Sequence, residues 1–246
     1  MNTLQDNPDT RSWREVAAGL PRPAAILAVS AHWVTRGTAV TAMARPETVH
    51  DFSGFPRELS MFRYPAPGDP HLAARVAACL SPHPVAQNQD WGLDHGTWSV
   101  LAHLFPEADV PVVQLSLDGT RPAAWHYDLA RRLKPLRDAG VLILGSGNGV
   151  HNLCHMDWER PQEVYGWAER FNDALRRALR DGDHARLAEL VSEPGMDADA
   201  HLAVPTPEHY LPLLYIAALQ EPGEPLQLFN DHIVYGSIGM LSFRVG

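Results

Sequence analysis

A continuous apolar run at residues 24–31 (AAILAVSA), opened by Pro23 and closed by His32, most narrows what this chain can fold into. A strand with one face in water alternates apolar and polar residues. An unbroken run reads as a strand covered on both faces, as in the sheets of α/β proteins. Residues 111–117 (PVVQLSL) and 141–145 (VLILG) read the same way, with an amphipathic stretch from Ala123 to Ala139 between them that Pro122 opens as a helix. Such alternation predicts an α/β fold with a central, mostly parallel or mixed sheet flanked by helices.

The other elements fit around it. Helices are predicted at 11–20, 71–80, from about Thr97 to Leu104, at 163–181 and at 184–191, with a short strand from Thr38 to Met43. A further helix is predicted from Glu208 to Leu219, with Thr206 as N-cap and Pro207 at the first helical position. One or two closing strands are expected between Leu226 and Val245. Nothing resembling a linker divides the 246 residues, so one domain spanning 1–246 is expected.

A hydrophobic share of 45% with 20% charged residues supports a large core. The formal net charge of -9 disfavours phosphate backbones and anionic lipid surfaces as partners, so a small molecule fits better than nucleic acid or membrane. With no signal peptide or spanning apolar run, Cys79 and Cys154 are read as free thiols in a cytoplasmic protein. A homo-oligomer is compatible with all of this.

Three histidines stand where strands give way to loops or a helix begins: His32 after the first apolar run, His151 after the turn Gly145-Ser146-Gly147-Asn148-Gly149, and His209 in Pro207-Glu208-His209-Tyr210. Loops at strand ends are where α/β proteins build their sites, and the three suggest a mononuclear metal centre. On position alone His32 is as readily a loop hydrogen-bonding group as a ligand. His209, read as lying in the first turn of a helix, would be kept neutral by the positive end of the helix dipole, and neutral imidazole is the form that binds metal. The glycine turn does not match the dinucleotide fingerprint, since Val150 stands where glycine is required. No G-x-S-x-G elbow supports a serine hydrolase.

The segment from Pro46 to Pro70, rich in proline, glycine and aromatics, is long enough for a lid, and His50, Phe52 and Phe55 within it suit a planar ligand or a packed aromatic loop equally. His95, between Asp94 and Gly96, is either held by its neighbour or aimed at substrate. His126 reads as a surface or interface group on a helix. His71, His83, His103, His184 and His201 read as structural.

The ordered series SAHW, HDFSGFP, RYPAPG, WGLDHGTW, PVVQLSLD, GSGNGVHN and PTPEHYLPLLY, spread along the whole chain, resembles the class III extradiol ring-cleavage dioxygenases and within them the bacterial 4,5-DOPA dioxygenase subgroup. The resemblance implies an α/β domain around a mixed sheet and one divalent metal ion, Fe(2+) in active ring cleavage and often Zn(2+) in isolated members. Residue by residue, His32 and His209 match metal ligands, His151 a further ligand or the acid/base residue, and His95 a substrate-facing histidine. His50, Phe55 and Tyr210 are the substrate-binding candidates. The family's first ligand lies in a G-H-G-S-P-M-N segment, whereas this chain starts at what match its last two residues, Met1-Asn2. A start codon assigned too late is the favoured reading of that difference. A shortened, catalytically impaired metal-binding protein is the other.

The expected reaction inserts O2 into a DOPA-like catechol and opens the ring, with His151 or His95 accepting a catechol proton and later returning one. The same histidines could instead serve a zinc-dependent hydrolase.

Overall fold

The computed structural model describes residues 2–193 and 195–246; the Met1 part of the Met1-Asn2 match lies outside them. In chain order the elements are α1 (Pro8–Ala18), β1 (Ala25–Thr35), β2 (Thr38–Thr41), α2 (Arg57–Met61), α3 (Pro70–Leu80), β3 (Val85–Asn88), α4 (His95–Leu104), β4 (Val112–Asp118), α5 (Ala123–Arg131), α6 (Lys134–Asp138) and β5 (Val141–Ser146). There follow α7 (Gly166–Asp181), α8 (His184–Glu189), α9 (Ala198–Ala203), α10 (Leu211–Ala217), β6 (Leu226–Phe229), β7 (Ile233–Val234), β8 (Ile238–Gly239) and β9 (Ser242–Val245). These fall into two compact units: the first runs up to Thr120 and includes Arg132–Ser146, the second comprises Arg121–Arg131 and Gly147–Gly246.

In the first unit five strands form one sheet in the order β3-β2-β4-β1-β5. β1 pairs in parallel with β4 and β5, and β2 with β3, while β2 meets β4 antiparallel, so the sheet is mixed. The apolar runs 24–31 and 111–117 fall on its central strands, and Ile26, Leu27, Ala28, Val29, Val112 and Leu115 are buried as the unbroken pattern requires. Helix α4 and the segment before α3 cover one face, where Trp98, Leu101, Leu93 and Tyr64 join Ile26 and Ala28 in a single cluster.

Four local departures from the sequence reading have physical causes. The predicted helix over 123–139 is two, α5 and α6, because the Pro135 ring would collide with the carbonyl of Arg131 in a continuous helix. α10 starts at Leu211 and not at Glu208, because a helix from 208 would place Pro212 in its interior; instead Pro212 occupies the first turn, where no N–H is needed. Thr206 does not cap it, its hydroxyl donating to Glu208 Oε1 at 2.6 Å. Strand β3 carries no apolar run, being half-buried to exposed, and its register with β2 alone defines it.

In the second unit α5 packs against α10, α7 against α9, and β6 pairs antiparallel with β9. His126, read from sequence as a surface or interface group, is fully buried in that packing with Nδ1 2.9 Å from the Tyr215 hydroxyl. The Arg176 guanidinium, on α7, holds Asp231 through both carboxylate oxygens, at 2.6 and 2.8 Å, ahead of β7. The Asp231 carboxyl lies below its ordinary range, chiefly through the hydrogen bond from Arg176, which outweighs burial. A depressed carboxylate pKa stabilises the fold above the unfolded value and is lost as pH falls through the folded one. Asp231→Asn is therefore expected to lower Tm at neutral pH, with the difference from wild type shrinking in acid. Parallel Tm curves at all pH values would contradict this.

Candidate active site

The pairing of β1 with its neighbours is regular only up to Ser30. It reaches Ser30↔Ser146 on the β5 side, and on the β4 side the register slips between Val29 and Val34. The strand continues to Thr35 and does not end at His32, and the slip frees the 30–33 stretch from ladder alternation, as a bulge re-aims side chains. His32 sits in that stretch, its backbone N–H donating to Ser30 Oγ at 3.2 Å.

His95 is the first residue of α4. Asp94 caps that helix, Oδ1 accepting the Thr97 N–H at 3.0 Å. The cap is a fully buried carboxylate with an amide clamped on it: Gln114, on β4, donates from Nε2 to Asp94 Oδ2 and accepts the Asp94 N–H and the Thr97 hydroxyl on Oε1. Gln114 is itself buried, and its backbone N–H donates to Thr41 Oγ1 at 2.8 Å. The start of α4 is thereby fixed to the sheet. A second tie comes from β5, where Ser146 Oγ donates to the Gly96 carbonyl at 2.6 Å.

The result is a close pair of imidazoles, His32 and His95, with ring centroids 3.9 Å apart. Asp51 lies beside both: Oδ1 is 2.9 Å from His95 Nδ1, and Oδ2 is 3.6 Å from His32 Nδ1. Asp51 is exposed along its backbone, yet its side chain is only 17% exposed. Burial pushes its carboxyl pKa up, but the His95 backbone N–H and the His95 imidazole close beside it outweigh burial and hold it below the ordinary value. His95 Nδ1 is buried and approaches Asp51 off the line of a full hydrogen bond. One donor atom from each of the three residues lies within 4.8 Å of the others. Two imidazole nitrogens and a carboxylate oxygen at that spacing fit a divalent ion of the zinc or ferrous type. Asp51 is a residue that sequence reasoning missed. The HDFSGFP motif held it, but nothing in spacing tied it to His95, 44 residues on.

An aromatic group adjoins this trio. Phe52 stands edge-on to His95, with centroids 5.3 Å apart and planes at 84°, and touches Phe55 and Trp98. Phe55 is 43% exposed. His50 packs on Phe52 and Trp98, but its Nε2 donates to the Phe62 carbonyl at 3.0 Å. The expected lid is pinned in place: Val49 and Leu93 share backbone bonds with their neighbours, Tyr64 donates its hydroxyl to the Phe105 carbonyl, and Trp98 Nε1 donates to the Val49 carbonyl.

In the second unit His151 and His209 stack face to face, with centroids 3.4 Å apart and planes at 3°. The glycine turn makes this possible. A Cβ on Gly147 would lie 2.2 Å from the His209 carbonyl oxygen, and Asn148 N–H donates to that same oxygen at 2.8 Å. Gly147 therefore serves a close approach of backbone to backbone. His209 Nδ1 donates to Asn148 Oδ1 at 3.3 Å, which selects the tautomer with an unprotonated Nε2. His209 precedes α10 and does not lie in its first turn, so the helix-dipole argument for its neutrality does not apply. Tyr210, a substrate candidate from sequence, is fully buried, with its hydroxyl donating to the Leu187 carbonyl at 2.8 Å.

A fold with a mixed α/β sheet, a histidine pair beside a carboxylate and an adjoining aromatic group defines a class before it defines a substrate. The family described as the catalytic LigB subunit of aromatic ring-opening dioxygenase matches residues 5–245, and the chain belongs to it; it is an extradiol ring-cleaving dioxygenase by family. The chain is 47% identical, over 100% of its own length and 91% of the relative's, to a protein of Escherichia coli (strain K12) named 4,5-DOPA dioxygenase extradiol. A Beta vulgaris protein of the same name is 39% identical over 82% of this chain and 75% of its own. A crystal structure of an uncharacterized protein from Escherichia coli K12 superposes with a TM-score of 0.85 at 42% identity, covering 99% of this chain and 94% of that one. Among the described residues no helix is long and apolar enough to cross a membrane.

Proposed function

We propose that this enzyme is a metal-dependent extradiol dioxygenase that opens the ring of a DOPA-like catechol with O2. The observation that carries the reading is the His32–His95 pair with Asp51 beside it and the edge of Phe52 against His95. Imidazoles next to an aromatic wall suit a flat substrate that must give up hydroxyl protons. The names of the relatives support DOPA as the substrate class.

Metal ligation is proposed for His32 in the first unit and for His209 in the second, with His151 a further ligand or an acid/base residue; Asp51 and His95 are read as neighbours of His32 and not as ligands. A bound divalent metal, Fe(2+) for turnover or Zn(2+) in a resting form, would supply Lewis acidity that lowers the catechol pKa. The remaining work belongs to this chain's own groups. His95 accepts a catechol proton and later returns one, serving first as general base and then as general acid. Phe52 and Phe55 shield the ring from water, and His50, held by the Phe62 carbonyl, lines the same aromatic group. The free thiols Cys79 and Cys154 suit a reducing cytoplasm.

The test is anaerobic loading with Fe(2+) followed by O2 and DOPA. Stoichiometric oxygen uptake with a yellow ring-opened product is expected. Turnover without oxygen, or none with any of several catechols despite bound iron, overturns the reading.

A further inference from the structure

Asp51 is closer to His95 than to His32, and it faces His95 at two atoms, the backbone N–H and ring Nδ1. The same Oδ1 accepts the His95 backbone N–H at 3.0 Å and lies 2.9 Å from His95 Nδ1, whereas the approach of Oδ2 to His32 is 3.6 Å. The backbone bond matters for direction. It anchors the oxygen at the first turn of α4, which is itself fixed by the Asp94 cap and the Gln114 clamp, so the carboxylate cannot drift from the ring it faces. Phe52, the next residue, closes edge-on over that ring and removes competing solvent from one side.

We propose that Asp51 is a positioning residue for His95: it holds the imidazole as the Nδ1–H tautomer and so presents Nε2 as the atom that takes a substrate proton. A carboxylate accepts and cannot donate, so a neutral imidazole facing it at Nδ1 keeps its proton there and its lone pair on Nε2. Deprotonated Nε2 is the form a general base requires, and the negative charge beside Nδ1 also stabilises the imidazolium formed once the proton has been taken. The assignment of a proton-accepting role rests on the dioxygenase reading; the tautomer does not.

Two measurements separate them. Nitrogen-15 NMR of the metal-free wild-type protein at alkaline pH is expected to show His95 with its proton on Nδ1. A proton on Nε2 overturns the proposal whatever the activity. In Asp51→Asn the oxygen facing Nδ1 loses its full negative charge, and the Nδ1–H tautomer is expected to lose population to the Nε2–H form. With iron loaded, kcat should then fall roughly 100-fold, while KM stays within about threefold and metal stoichiometry is unchanged, and Asp51→Glu should recover part of kcat. Loss of metal from Asp51→Asn makes Asp51 a ligand and overturns the positioning role, as does a wild-type kcat in that variant. A wild-type protein with the Nδ1–H tautomer but no catechol turnover would instead count against the dioxygenase reading.

Discussion

Alanine at His32 or at His209 is expected to strip the protein of bound metal and abolish oxygen uptake. Both residues are held before any ligand arrives. The His32 backbone is tied to Ser30 in the slipped stretch of β1, and the His209 backbone and ring are both gripped by Asn148. Outer groups that orient a metal-binding histidine are typically worth about 10–100-fold in metal affinity, so removing the imidazole itself should cost more. Asn148→Ala gives the graded comparison: a loss in that ~10–100-fold range, because His209 keeps its ring but loses the bond that fixes its tautomer. His95→Ala should spare the metal and reduce kcat. Metal content by elemental analysis checks all four. Stoichiometric metal in both His32→Ala and His209→Ala would sink the ligand assignment, and loss from His95→Ala would add a ligand to it.

The architecture was legible where apolar runs were long. Residues 24–31, 111–117 and 141–145 read as strands covered on both faces, and they are β1, β4 and β5, although β5, at the sheet edge, is only partly buried. Short elements with polar surroundings were not legible, as β3 shows, because only their partner strand defines them. Prolines were underused: Pro135 and Pro212 each decide a helix boundary, and each acts on the carbonyl four residues earlier. At the site the histidines could be picked out one at a time from their framing, but not their neighbours. His32, Asp51 and His95 come from three segments that meet only because β1 slips its register and Asp94 starts α4 two residues earlier than the helical pattern suggested. Buried His126 was misread for the complementary reason. One histidine on a helix has no sequence mark that separates solvent from the Tyr215 hydroxyl.

Gly96→Ala is expected to cost more activity than any other single methyl added to the first unit's site. A Cβ there would lie 2.5 Å from Ser30 Oγ, 2.8 Å from His32 Cδ2 and 3.3 Å from Asp94 Oδ1. None of these atoms can retreat cheaply. Ser30 is fully buried and paired with Ser146, Asp94 is locked under Gln114, and the His32 ring already lies against His95. Overpacking of this kind costs about 1–3 kcal/mol, a visible drop in Tm. The larger effect is on catalysis, because relief requires α4 to shift outward and carry His95 with it, and a displacement of about 1 Å at a reacting group can cost on the order of 100-fold in rate. Gly166→Ala is the control, since its new methyl meets only Nη1 at the far end of the exposed Arg170 side chain, at 3.2 Å, and helix propensity favours alanine, so Tm should hold or rise. Wild-type kcat/KM in Gly96→Ala would show that the first turn of α4 does not set the His32–His95 geometry, and would remove the link drawn between the Asp94 cap and the chemistry at His95.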